Sequence, residues 1–435
     1  MIRKTGWLLL SVTSYGVLES ILLGYSYYII FSMIIFFIVA SDILIFNLSD
    51  VKDLHLVDVE RTIDNTSARK WQEREIRLKF TNTSRKTIFF HYYDTLSDVF
   101  RARDDFEGAI GLTRGQSVEK VYYLSSTAIG KYNVGPVKLY VEDPMKLCLG
   151  VRAARKITEL KVSPATSEIH TQRSERLSNF VFTQGMHFSK KVGQGYDFYG
   201  LRNYDQSDDF RYIAWSRYGL INGEDLYIKQ MEEERQIDVM FVLDYSINVN
   251  QGTPDRRMYD TVITTVINAA YAILKNRDGV GFSIDSSMHD FFIKPSKSEA
   301  SIRQFEKTVA DIRPMGQFYL GPVLDKIKKS LKKNALVLII SPFSYSNELS
   351  SAIDFKTGKR LFLFLLDPYD FVEMRDDDVY RKLITSTEAK HWRYLKGIAA
   401  FLNSVGIKTS ISRRKDLYVR LMTEYSYGKM TNEGA

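Results

Sequence analysis

Two long apolar runs near the amino terminus, a middle stretch that alternates residue by residue, and a final stretch in which apolar strands alternate with amphipathic helices together predict an α/β chain in three structural parts. The predicted order is a transmembrane helical hairpin (1–50), a small antiparallel β-sandwich (51–162), a connector (163–235) and an open, doubly wound α/β domain (236–430). A composition of 45 % hydrophobic and 13 % aromatic residues excludes a disordered chain. The single cysteine, Cys148, cannot close an intramolecular disulfide, and one thiol with 6 scattered histidines builds neither a zinc ribbon nor an iron–sulfur cluster. A net charge of +8 is modest for 435 residues and gives no reason to expect a nucleic-acid partner.

The first apolar run, Thr5 to Leu23, carries Glu19 as its one charge, and the second, Tyr27 to Phe46, carries Asp42. Each is long enough to cross a hydrocarbon core as a helix. Gly24, Tyr25 and Ser26 leave room only for a tight turn between them, and Trp7, Tyr25, Tyr27, Tyr28 and Phe46 stand near the ends as interfacial anchors. A signal peptide is excluded by the length of the run and the lack of a small-residue cleavage site before the second span. Arg3, Lys4 and Lys52 flank the pair while the turn has no basic residue, so the expected orientation keeps the N-terminus and the soluble domains cytoplasmic. Both acids are expected at the membrane interfaces.

From about residue 54 the pattern becomes that of strands. Ile76, Leu78 and Phe80 alternate with Arg77 and Lys79, and Asn82-Thr83-Ser84 marks a turn before Ile88, Phe89 and Phe90. Val118, Val121, Tyr123, Val134, Val137, Leu139 and Val141 continue it, with Asp143-Pro144 as the expected close. After a connector rich in Ser, Thr, Gln and Gly, strands are expected at 237–243, 280–284, 291–293, 336–340, 361–366 and 407–411. Helices are expected at 256–277, 301–312, 320–331, 389–404 and 416–426. The continuous apolar strands are those of a sheet covered on both faces.

Ligands of such a sheet bind beyond the carboxyl ends of its strands. The first strand ends in Asp244-Tyr245-Ser246-Ile247-Asn248, whose alternating carboxylate, hydroxyl and amide can aim oxygens at one point, as a hard divalent cation requires. The run resembles the metal-ion-dependent adhesion site of von Willebrand factor A domains, Asp-x-Ser-x-Ser, with Asn248 in place of the second Ser. That resemblance implies two further ligands, a Thr and an Asp, at Gly316-Gln317-Phe318-Tyr319-Leu320 and Ile340-Ser341-Pro342, and neither stretch holds the implied residue. The expectation is a degenerate site with no cofactor. The alternative is a divalent-metal-dependent binding module or enzyme holding Mg²⁺ weakly through Asp244, Ser246 and Asn248, and the plainest reading is that Asp244 and Ser246 only cap the turn.

A second constellation precedes that strand: Gly195, Phe198, Leu201, Arg202, Tyr204, Asp208, Asp209, Arg211 and Trp215, followed by Glu233-Glu234-Arg235. It resembles the signature of the domain-of-unknown-function 58 family, with Ser207 for a Gly, Ala214 for an Asp, and the Ala-Arg after the Trp missing. The resemblance implies a two-helix hairpin, a β-rich unit and an A-type domain acting beside a MoxR-type AAA+ ATPase, with no catalytic residues to carry over. Two acids and two arginines so close together form bidentate ion pairs, expected here to clasp the loop to the A-type domain with Trp215 as apolar anchor, the alternative being a ligand or partner interaction site. Gly193-Gln194-Gly195 lacks the preceding strand and the lysine of a phosphate loop. His170 and His187 are base candidates by nearness alone, and His289 beside Asp290 reads as an edge pair. Lys326, Lys328, Lys329, Lys332 and Lys333 read as the solvated face of a helix from Asp325 to Asn334. The expected protein is thus a membrane-anchored, non-enzymatic scaffold or adaptor whose A-type domain binds a protein partner.

Overall fold

The computed structural model describes residues 3–24, 26–143, 145–165, 192–217, 226–232, 236–332, 335–342, 360–372 and 376–430. They fall into two compact units, residues 1–165 and 166–435.

In the first unit, α1 (Lys4–Leu23) ends at Gly24, whose φ of 70° is the left-handed turn that glycine supplies without strain, and α2 (Ser26–Leu48) follows. Both are long and apolar enough to cross a membrane. Polar side chains inside α1 bond back to the helix: Ser11 Oγ donates to the Trp7 carbonyl at 2.7 Å and Thr13 Oγ1 to that of Leu9 at 2.9 Å. Such bonds satisfy these two hydroxyls within the helix itself.

A one-and-a-half-turn helix, α3 (Asp50–Leu54), leads into the sandwich. Its strands are β1 (Val57–Ile63), β2 (Ser67–Arg69), β3 (Glu73–Asn82), β4 (Ile88–Asp94), β5 (Phe100–Asp104) and β6 (Glu107–Leu112). The remainder are β7 (Ser117–Ser126), β8 (Gly130–Val134), β9 (Val137–Glu142), β10 (Leu149–Ala153) and β11 (Thr158–Ser163). They form sheets ordered β1-β3-β7-β5 and β10-β9-β4-β6, with a smaller sheet β2-β11-β8. The alternation read from the sequence is realised: Ile76, Leu78 and Phe80 are buried while Arg77 and Lys79 face out. Asp143 does not close the domain as expected. It opens the turn between β9 and β10, and pairing continues to Ser163. Phe46 is also not an interfacial anchor, because it is buried in contact range of Gly150 on β10. A Cβ at Gly150 would stand 2.9 Å from Val51 and 3.0 Å from Val141, so only glycine lets the helices approach the sheet so closely. Within the core, Asp94 accepts hydrogen bonds from both ends of the buried Arg61 guanidinium and from Tyr122 Oη at 2.6 Å.

The second unit begins with an antiparallel ribbon of β12 (Val192–Asn203) and β13 (Tyr227–Glu232). Its main sheet is β14 (Asp238–Asp244), β15 (Gly279–Asp285), β16 (Asp290–Ser296), β17 (Leu336–Ser341), β18 (Arg360–Leu366) and β19 (Lys408–Ser412), in the order β16-β15-β14-β17-β18-β19. All neighbours are parallel except β15 and β16. Counted along the chain this is 3-2-1-4-5-6, the doubly wound order, whose switch point lies between β14 and β17.

Among the helices α4 (Met258–Lys275), α5 (Glu299–Asp311), α6 (Leu320–Ser330), α7 (Asp378–Ser404) and α8 (Leu417–Met430), α6 and α7 cover one face. Val323, Leu324, Ile327, Leu395 and Leu402 pack there on Met240, Val242, Ile339 and Leu363. On the other face Phe305 of α5 stacks on Phe282 with ring centroids 4.2 Å apart.

Three elements depart from expectation. β16 extends to Ser296 through Pro295, tolerated because the strand is at the sheet edge. Opposite it, a Cβ at Gly281 would lie 2.7 Å from the Ile293 carbonyl, and the pairing register shifts there. α6 stops at Ser330 rather than Asn334. α7 starts at Asp378 rather than 389, because Asp377 accepts hydrogen bonds from the Val379 and Tyr380 amides and starts a helix ahead of its buried stripe.

Candidate functional site

Three neighbouring strands place polar side chains on one face at the carboxyl edge of the sheet: Asp285 ends β15, Asp244 ends β14 and Ser341 ends β17. All three are buried. Ser341 Oγ donates to Asp244 Oδ2 at 2.6 Å, and the Ser246 amide donates to Oδ1 at 2.8 Å. Burial pushes the Asp244 carboxyl above its ordinary value, against the opposing pull of these donors. The loop after it is pinned from beneath: Tyr245 Oη shares a 2.6 Å hydrogen bond with Tyr259 and donates to the Ile312 carbonyl at 2.9 Å, and the Ile247 amide reaches Gly316 O at 3.1 Å. Asn248 lies half-buried in the 3₁₀ turn Ile247–Asn250.

Asp285 stands in register with Asp244 and was missed by the sequence reading. It accepts from Ser283 Oγ and lies 3.5 Å from Lys326 Nζ, which also pairs with Asp290. Burial raises its pKa, and the Lys326 ammonium works against that rise. Lys326 therefore does not belong to a solvated stripe: it turns inward as a counter-ion over the Phe292 ring, 5.1 Å from its centroid. Lys332 lies 3.4 Å from Asp238, and Lys333 lies outside the described residues. His289 does not pair with Asp290 either. Its Nε2 meets the Arg313 carbonyl at 2.9 Å.

Both carboxyls of this edge already have protein partners. Hydrogens of Ser341 and Ser246 point at one carboxyl, a protein ammonium holds the other, and Gln317 and Ser341 stand where a Thr and an Asp would ligate. Among the described residues no three His, Cys, Asp or Glu side chains gather in one place.

In the signature segment the two expected ion pairs form, but both are local. Arg202 on β12 grips Asp208, with one nitrogen 2.7 Å from Oδ2, and Arg211 binds Asp209 at 2.7 and 3.0 Å. Hydrogen bonds from these arginines hold both aspartates below the usual carboxylate range. Asp209 also caps the 3₁₀ turn Phe210–Tyr212 through the Arg211 amide. Among the described residues the pairs shape their own loop and make no side-chain hydrogen bond to the sheet. Trp215 is no anchor: it is 64 % exposed, as Phe210 is at 67 %, while Ile213 and Ala214 are buried and the Ala214 amide bonds to Tyr227 O at 2.8 Å. The small Ala214 is buried against β13.

Leu201 and Tyr204 are half-buried, and the Tyr204 ring lies 5.9 Å from that of Phe210. The backbone of Gly193-Gln194-Gly195 and Phe198 is strand, not the mouth of a helix. Glu233, Glu234, Arg235, His170 and His187 lie outside the described residues.

An α/β domain with this strand order, an edge strand reversed and an Asp-x-Ser turn at its switch point is a von Willebrand factor A-like domain, carried here behind a sandwich and two apolar helices. Residues 200–371 match the family model described as Protein of unknown function DUF58, in agreement with the signature. Among solved structures the chain resembles the VWA domain of SpRpn10, at 10 % identity over 46 % of this chain and 100 % of that one, TM-score 0.30. It also resembles an aerotolerance-related membrane protein from Bacteroides fragilis, at 12 % identity over 44 % and 98 %, TM-score 0.28. Trypsin-activated alpha-2-macroglobulin from Escherichia coli matches at 17 % identity over 25 % of this chain, TM-score 0.22, and the chain spans only 7 % of it. No curated protein matches the chain.

Proposed function

We propose that the chain is a membrane-anchored adaptor that works by binding another protein and performs neither catalysis nor metal-dependent adhesion. The observation that carries this reading is the carboxyl edge of the sheet, where Asp244 and Asp285 are already satisfied by Ser341, the Ser246 amide and Lys326. Elsewhere in the same unit Phe210, Tyr212 and Trp215 stay exposed beside Arg211, the residue types that dominate protein contacts. The two apolar helices support the anchor, and Arg3, Lys4 and Lys52 support a cytoplasmic placement. The partner that the family resemblance suggests is a MoxR-type AAA+ ATPase.

The test is binding of the detergent-purified full chain to a purified ATPase of that class. Saturable binding with Kd of about 1 μM or tighter is expected, weakened at least about tenfold by Trp215→Ala with Phe210→Ala. Absence of binding, or indifference to these substitutions, overturns the assignment. Micromolar heat on calorimetric titration with Mg²⁺ or Mn²⁺, abolished by Asp244→Ala, would replace it with the metal-dependent reading.

A further inference from the structure

The outer face of α2 carries a groove of about 530 Å³ lined by Ile34, Phe37, Ile38 and Ile45, with Met145 of the β9–β10 turn forming its other wall. Asp42 stands in the same lining. Its carboxyl lies within hydrogen-bonding reach of that of Asp143, which is only 2 % exposed. One Asp143 oxygen accepts the Cys148 amide at 2.6 Å, but the other, and Asp42 Oδ2, are buried with no hydrogen-bond partner. Two carboxyls facing each other beside an apolar wall, each with a bare oxygen, are costly unless a shared proton, a cation or a further donor joins them.

We infer that this groove binds a phospholipid with a primary ammonium head group, its acyl chain along α2 and its ammonium between Asp42 and Asp143. The inference rests on the membrane-spanning reading of α2, which makes hydrocarbon the medium against Ile34, Phe37 and Ile38. Asp42 lies six residues before the end of α2, about 9 Å along the axis, in the last third of the helix. A primary ammonium brings three N–H donors and a positive charge, enough for both bare oxygens. A choline head has no N–H to give, and a glycerol head has no positive charge. No group of three His, Cys, Asp or Glu side chains that could hold a metal occurs among the described residues. Lys146, exposed on the same turn, adds the positive charge that a lipid phosphate requires.

The experiment incorporates the full chain into vesicles with equal phosphatidylethanolamine, phosphatidylglycerol and phosphatidylcholine, confirms incorporation by flotation, and identifies retained lipid by native mass spectrometry after gentle extraction. Phosphatidylethanolamine should be retained at least about fivefold over the other two, the scale of a charge-assisted hydrogen bond. Asp42→Asn should bring the ratio to parity, and Ile38→Trp, which fills the groove without touching the carboxyls, should lower total retention. A floating chain with no head-group preference, or with a preference untouched by Asp42→Asn, overturns the site and leaves the anchor standing. A preference abolished by a chelator assigns the carboxyls to a metal and overturns it as well. A chain that does not float overturns both the anchor and the site.

Discussion

Asp244 accepts from two protein donors and stands in register with Asp285, and burial lifts its pKa above the unfolded value. The folded chain then holds that proton more tightly than the unfolded chain does. The stability it contributes is greatest in acid and declines as pH rises from about 4 through the raised value. Asp244→Asn removes the penalty: its thermal midpoint at neutral pH should equal or exceed that of the wild type, and its midpoint should vary less with pH. A large loss at neutral pH would mean instead that the carboxylate is charged and paired. Asp244 and Ser246 are legible in the sequence because they directly follow an apolar strand in a spaced motif. Asp285 ends an equally apolar strand but sits in no motif, and which strand lies beside it is decided by the sheet. Lys326 sits among other lysines, and its partners Asp285 and Asp290 are distant in the chain, so a local pattern reads it as surface.

At the scale of elements, the apolar periods that identify strands and helices are created by burial, so elements that bury little are misjudged. The first eleven residues of α7 expose Val379 and Leu383 and bury nothing, which is why periodicity finds only the second half, anchored by Leu395, Ile398, Ala399 and Leu402. The start of the helix is marked instead by the Asp377 cap. Leu383→Pro should therefore cost the domain under about 1 kcal/mol in urea unfolding while exposing the first turns to protease, whereas Ala399→Pro should cost about 3 kcal/mol or more. Equal losses would show that the overhang is held by contacts of its own. The sandwich strands, half-buried and alternating, are readable almost residue by residue, except where Asp143-Pro144 imitates a domain end while making a turn.

For the whole molecule, each unit has its own closed core: Leu78, Phe80 and Phe90 belong to one, Met240, Val242 and Ile339 to the other. Calorimetry of the full chain should resolve two transitions. Asp94→Ala leaves the Arg61 guanidinium buried without its carboxylate and strips Tyr122 of its acceptor, a loss of about 3–5 kcal/mol confined to the sandwich transition. A shift of both transitions by similar amounts would contradict that independence.

The reversed strand β16 closes one rim of the six-stranded sheet with Pro295, a residue with no amide hydrogen to offer. The opposite rim is the five-residue β19, which begins at Lys408, whose ammonium lies over the Tyr427 ring. Neither border offers a long, uncharged template for strand addition, so this sheet resists growing into a ribbon with its copies. Crowding the chain at high density then carries little danger of fibrous aggregation from this domain.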